Sequence, residues 1–255
     1  MRDVDSIRER KLKHLSALVA RPSMYAGDGQ AIEIAARDLL GDLCFVDQCD
    51  DKLRIVEEAL RRRFGKSGVA GAFNAVFGND CRYTEEVTSI VAEHAWRLGY
   101  LKVGRQLTDD EWSGALAAAR DFEERDVARS EVVAQIGEPS LSVGHRVDCY
   151  ASDGRESGWL CFDYWAQPQT RYVAGAGRYE LTDASRLLLL RDARVPSPTF
   201  DDSFILTLYG KVLRWGTGWW IHHPRRRGDT PPGVPEHLRN LEDQDPSVSL
   251  DLRRP

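Results

Sequence analysis

The sequence predicts an α+β protein, an N-terminal helical bundle followed by a domain in which helices cover an antiparallel β-sheet. Apolar residues recur at helical spacing through roughly the first hundred positions. Beyond about residue 141 the period shortens to two, and Tyr, Trp, Val and Phe become dense. From residue 225 the chain is rich in Pro and charge and poor in aromatics, a composition that buries too little apolar area to offset ordering. The expected organisation is a helical bundle over 1–104, an α+β domain over 105–224 and a flexible tail over 225–255.

Val4, Ile7, Leu15 and Leu18 share one helix face, and that helix must end near Arg21 because Pro22 disfavours α backbone before it. After the turn AGDGQ, a second stripe is formed by Ile32, Ala35, Ala36, Leu39, Leu40, Leu43 and Val46. Asp50 or Asp51 is placed to cap a third helix, whose stripe is Leu53, Val56, Leu60 and Phe64. Val69, Phe73, Val76 and Phe77 mark a fourth. Thr84 is placed to cap a fifth, with Val87, Ile90, Val91, His94 and Leu98 inward and Gly99 at its end. In LTDDEW, Thr108 and Glu111 have the spacing of a reciprocal capping box, opening a helix expected to reach about Arg129. A short helix follows over RSEVVAQIGEPSL. Strands are expected at 143–150, 158–165, 186–190, 204–209, 212–215 and 219–222, with SDGRESG and WGTGW as hairpin turns.

No apolar run approaches the ~20 residues needed to span a bilayer. The start, MRDVDSIRERKLKHLSALV, lacks the apolar stretch and small-residue cleavage site of an export signal, so a cytoplasmic location without membrane association is expected. Five cysteines without CxxC spacing suggest neither a disulfide framework nor a zinc knuckle, and no metal or cofactor is expected. A formal charge of −5 gives no general field for nucleic acid. The local cluster Arg225, Arg226 and Arg227 is the feature through which a nucleic-acid-associated regulator would act. The 29 arginines against 6 lysines reflect a GC-rich genome, an actinobacterial one being expected.

Two phosphate-loop fragments are incomplete. FGKSG has Leu60 where the loop glycine belongs and follows a helix instead of a strand, so it reads as a helix C-terminus; GAGR has Glu180 at the third glycine position of a dinucleotide fingerprint. His94 sits on an apolar helix face, the place of a core imidazole. His222 and His223 would point to opposite faces of a strand. A hydrolase or nuclease would require His145, Asp148, Asp163 and His222 to converge as an acid/base set. Cys149 and Cys161 are equidistant from Arg155, which places them opposite each other in a hairpin, either as a redox pair or as small core residues. Around LYGKVLRWGTGWW, neighbouring aromatics alternate in a strand and at least one must be exposed. Trp215, Trp219, Tyr209, Arg214 and Tyr164 are therefore the expected protein contacts, since exposed Trp and Tyr beside Arg have hot-spot composition.

The segment RPSMYAGDGQ, through Arg21, Pro22, Met24, Tyr25 and Gly27, resembles small bacterial proteins with an RPxMYxG pattern, several of them immunity or accessory proteins of conflict systems. There Met24 and Tyr25 would plug the gap between two helices and Gly27 would permit the reversal. SEVVAQIGEPS followed by VDCY and GWLCFDY resembles the fold of beta-lactamase-inhibitor proteins and outer-membrane-assembly lipoproteins. That resemblance implies a helix capped by Ser130, with Val132, Val133 and Ile136 on one sheet face, ended by Gly137 and Pro139. The other sheet face would be left to meet a partner. The functional expectation is a cytoplasmic binding module, an immunity-type inhibitor or accessory factor directed at another protein such as a toxin or defence component.

Overall fold

The computed structural model describes residues 4–77, 83–154, 158–166, 170–173, 178–181 and 188–215, and the fold is mixed α+β, with helices leading and strands following. Five helices come first: α1 (Val4–Ala20), α2 (Gly29–Val46), α3 (Asp50–Phe64), α4 (Gly68–Phe77) and α5 (Thr84–Arg97). α6 (Asp109–Asp121) and α7 (Arg129–Ile136) follow. The strands are β1 (Leu141–Val143), β2 (Val147–Tyr150), β3 (Leu160–Ala166), β4 (Thr170–Val173), β5 (Arg178–Leu181), β6 (Leu188–Arg194) and β7 (Phe204–Leu206), and α8 (Leu208–Trp215) comes after them. A five-stranded antiparallel sheet has the order β1-β2-β3-β6-β7, while β4 and β5 form a separate two-stranded pair.

The chain divides into two compact units that interleave in sequence. One comprises Met1–Ala117, Ile136–Asp163 and Arg194–Phe204; the other comprises Ala118–Gln135, Tyr164–Ala193 and Ile205–Pro255.

In the first unit, α2 packs against α1, α3, α4 and α5. Its start is fixed by Asp28, whose carboxylate accepts from the Ala31 backbone N–H at 2.8 Å. The core runs from Leu15, Ile32 and Leu43 through Phe73 and Val87 to Val147, Cys149 and Trp159 of the hairpin strands and their flank. Phe73 meets Phe200 edge-on at 5.0 Å, and Phe200 meets Phe204 in the same manner at 4.9 Å.

α5 departs from the expected amphipathic helix, because it is buried on nearly every side, polar residues included. Thr88 Oγ1 donates to the Thr84 carbonyl and Ser89 Oγ to the Glu86 carbonyl, each at 2.6 Å, so these hydroxyls are satisfied within the helix. Its buried acids are met by arginines: Glu93 by Arg97 at 2.6 Å and Glu86 by Arg146 at 2.9 Å.

Several expected boundaries move for identifiable reasons. The cap position of α3 is Cys49, whose side chain makes no capping bond; Asp50 and Asp51 lie in the first turn, where acids favour the helix dipole. Tyr83, not Thr84, precedes α5. The capping box of α6 is present: Glu111 N donates to Thr108 Oγ1 at 3.3 Å, and Thr108 N to Glu111 Oε2 at 2.9 Å. That helix nevertheless stops at Asp121 and gives way to a 3-10 turn over Phe122–Glu124. Ser130 lies inside α7 instead of capping it, and the Glu131 carboxylate reaches back to the Ala128 N–H at 3.2 Å. Gly137, at φ 93°, ends α7 as its residue type suggests.

The expected strand at 143–150 is two strands, β1 and β2, and the expected strand at 186–190 extends as β6 through the charged residues Arg191, Asp192 and Arg194. β4 and β5 were not expected. The largest correction lies at 204–215, where two strands were expected and one short strand leads into α8. Thr207 decides it: its hydroxyl accepts from Gly210 N at 3.1 Å, and its carbonyl accepts from Lys211 N at 2.9 Å, the bonds of a helix N-cap. The expected strand at 219–222, the WGTGW turn beyond its first residue and the tail lie outside the described residues.

Candidate functional site

The acid/base set does not assemble. In the β2–β3 register Val147 faces Asp163 and Asp148 faces Phe162, so Asp148 and Asp163 project from opposite faces of the sheet. Asp148 is buried and accepts from Ser142 Oγ at 2.7 Å, Asp163 is buried on the other face, and His145 lies exposed in the β1–β2 turn. His222 lies outside the described residues. Among the described residues, no group of three or more His, Cys, Asp or Glu is arranged to hold a metal ion.

The expected contacts also change. Tyr164 is 0% and Tyr209 2% exposed, so both are interior residues and not parts of an adhesive face. Tyr164 sits beneath the Arg129 guanidinium, 5.5 Å from its ring centroid, while Tyr209 packs with Leu189, Ala128 and Trp165. Both fall where strand or helix periodicity turns them inward, and aromatic richness alone carries no sign of which side is exposed. Arg214 and Trp215 belong to α8, their side chains outside the described set; Trp219, Arg225, Arg226 and Arg227 lie outside the described residues. Neither sheet face is left open at β2 or β6. All four residues of β2 and six of seven in β6 are buried.

Exposed apolar groups lie elsewhere. Among the described residues the large exposed hydrophobics are Val4, Met24, Tyr25, Ile34, Phe45 and Ile55, with Phe45 75%, Met24 73% and Ile55 65% exposed. All belong to α1, α2, α3 or the turn between α1 and α2. Met24 and Tyr25 stand out from that turn instead of plugging a gap, and the Tyr25 hydroxyl donates to the His14 carbonyl at 3.3 Å. Gly27 has neither positive φ nor a neighbour against its α-carbon; close approach falls to Gly29, against which Val87 packs.

The FGKSG segment forms the α3–α4 junction beside an open cleft of about 420 Å³ lined by Glu33, Arg37, Glu57, Arg61, Lys66 and Ser67 among others. Gly65 is the C-cap of α3. The anion position at the start of α4 is already filled: Glu33 Oε2 accepts from Ala70 N at 3.0 Å, while Oε1 accepts from Arg37 at 2.6 Å. The chain thus supplies its own carboxylate where a phosphate loop would receive a phosphate.

Two thiol sites flank α5. Cys49 Sγ lies 3.1 Å from the Tyr100 hydroxyl beside Cys44, whose thiol is pushed up to about 11, chiefly by burial. Cys149 and Cys161 are register partners with sulfurs 3.1 Å apart, the pairing expected from their symmetric spacing. Arg194 contacts Cys161, an arrangement that sequence reasoning missed because the expected strand ended at residue 190 and left Arg194 outside it.

No helix among the described residues is long and apolar enough to cross a membrane. Comparison of the chain with protein-family models, with curated proteins and with solved structures finds no match.

Proposed function

We propose that the chain is a cytoplasmic protein-binding module, an immunity-type inhibitor or accessory factor of a bacterial conflict or defence system, which acts by occluding another protein. The observation that carries this reading is the placement of the exposed apolar side chains. Among the described residues the large exposed hydrophobics Val4, Met24, Tyr25, Ile34, Phe45 and Ile55 all fall within the first 55 positions, while Tyr150, Phe162 and Tyr164 of β2 and β3 are interior. An exposed aromatic or Met costs apolar hydration that binding recovers, and such residues are enriched in interface cores. The RPSMYAG turn adds to this, since its Met and Tyr point outward in the segment that resembles immunity-type proteins. The net charge of −5 suits a partner with a basic face.

The test uses the full chain as bait in its native host, in parallel with a Met24→Asp, Phe45→Asp variant of unchanged melting temperature. A partner retained by the wild type and lost by the variant supports the reading. Retention of the same partner by both baits refutes the placement of the contact.

A further inference from the structure

The β2–β3 pair seats two thiols against a buried cation. Cys149 and Cys161, both buried, stand directly opposite each other. From β6, Arg194 Nη2 donates to Cys161 Sγ at 2.9 Å and to Ser89 Oγ at 3.0 Å. Arg194 is itself buried, and among the described residues no carboxylate lies within ion-pair distance of it. Glu93, which acts on it through space, is engaged by Arg97 at 2.6 Å. A guanidinium does not give up its proton in a protein, and a buried charge is costly unless an opposite charge meets it. Of the two groups Arg194 touches, only Cys161 can become an anion near neutral pH.

We propose that Cys149 and Cys161 are a peroxide-oxidisable dithiol, with Cys161 as the thiolate nucleophile and Cys149 as the resolving thiol. Residues opposite each other in an antiparallel pair have Cα atoms about 4.5–5.5 Å apart, inside the about 4.4–6.8 Å that a disulfide spans. The sulfurs need close by only about 1 Å from 3.1 Å. Burial pushes the Cys161 thiol up, but the Cys149 hydrogen bond and the Arg194 charge outweigh it and bring the thiol below its ordinary range. Burial, reinforced by Cys161, holds Cys149 well above that range, which suits it to the resolving role. The other charged groups that bear on the pair are Glu93 on α5, the exposed Arg63 on α3, Asp148, which projects from the opposite sheet face, and Asp163, which the register places on the same face two residues along β3 from Cys161.

The Cys161 thiolate attacks one oxygen of hydrogen peroxide, the O–O bond breaks, and the departing hydroxide takes a proton to leave as water. Cys161 is then a sulfenic acid. Cys149 sulfur attacks Cys161 sulfur, the S–O bond breaks, and the Cys149 proton leaves with the hydroxyl as a second water. Two thiols and one peroxide become one disulfide and two waters, the thiols oxidised and the peroxide reduced. Peroxide is close to water in size, and Cys161 keeps 3% of its surface exposed.

The folded full chain is treated with hydrogen peroxide, quenched, alkylated in denaturant and mapped by peptide mass. The expected product is a linked Cys149–Cys161 peptide lacking two hydrogens, with Cys44 and Cys49 still alkylatable. The oxidation rate is expected to rise less steeply with pH than that of an ordinary thiol, which with pKa about 8.5 speeds up nearly tenfold per pH unit between about pH 6 and pH 8. Arg194→Gln is expected to slow the reaction more than about tenfold. If that variant does not fold, the wild-type pH profile decides the role of the guanidinium. Cys149 and Cys161 remaining alkylatable after peroxide, or a rate that climbs tenfold per pH unit, overturns the proposal.

Discussion

Arg146 Nη2 lies 2.9 Å from Glu86 Oε2, tying the β1–β2 turn to the central helix α5. The same turn is held from the backbone side, where Glu85 Oε2 accepts from His145 N at 3.2 Å and Arg146 N at 2.7 Å. Glu86 is buried, so removing its cation leaves a carboxylate away from water. Arg146→Met is therefore predicted to cost about 3 kcal/mol in urea unfolding. The Arg146→Met, Glu86→Gln double variant is predicted to recover part of that loss. A fully additive double variant would show that the pair is not coupled.

Gly210 separates two opposing expectations for α8. Glycine to alanine inside a helix normally stabilises by about 1 kcal/mol. Here a Cβ would collide with the Arg191 carbonyl, backbone that cannot swing aside. Gly210→Ala is predicted to destabilise by about 3 kcal/mol or more in equilibrium unfolding, against the propensity trend. A stabilised variant would mean that α8 does not press on β6 as described.

His94 ties stability to mild acid. Burial lowers its pKa from 6.5 to about 4, so the folded chain holds the imidazole neutral while the unfolded chain binds a proton sooner. This contribution is full above pH 6.5 and is lost as pH falls from there toward 4, by about 3 kcal/mol in all. Chemical denaturation across that window is predicted to show a decline that His94→Gln flattens. Equal slopes in the two proteins would contradict it.

The helices were legible because each carries a local signal. Pro22 stops α1, the stripe from Ile32 to Val46 faces one side, and Thr108 with Glu111 form a box within four residues. The pairing of Cys149 with Cys161 was legible through the symmetry of its hairpin. The helix over 208–215 was not, because its alternating aromatic and branched residues match a strand and only the Thr207 cap overrides them. Likewise α5 hides its burial: nothing in a run of Glu, Thr and Ser announces that Arg146 and Arg194 will arrive from 60 and 105 positions away to meet it. Tyr164 and Tyr209 were misplaced for a related reason, since aromatic content predicts large contact area but not whether the chain itself or a partner supplies the contact.

The central claim concerns where a partner sits, and hydrogen exchange of the full chain with and without its captured partner tests it most directly. The account predicts new protection over α1, the 22–27 turn and the exposed sides of α2 and α3, where Met24, Phe45 and Ile55 lie. Protection confined to 204–255, with the first 55 residues unchanged, would contradict it.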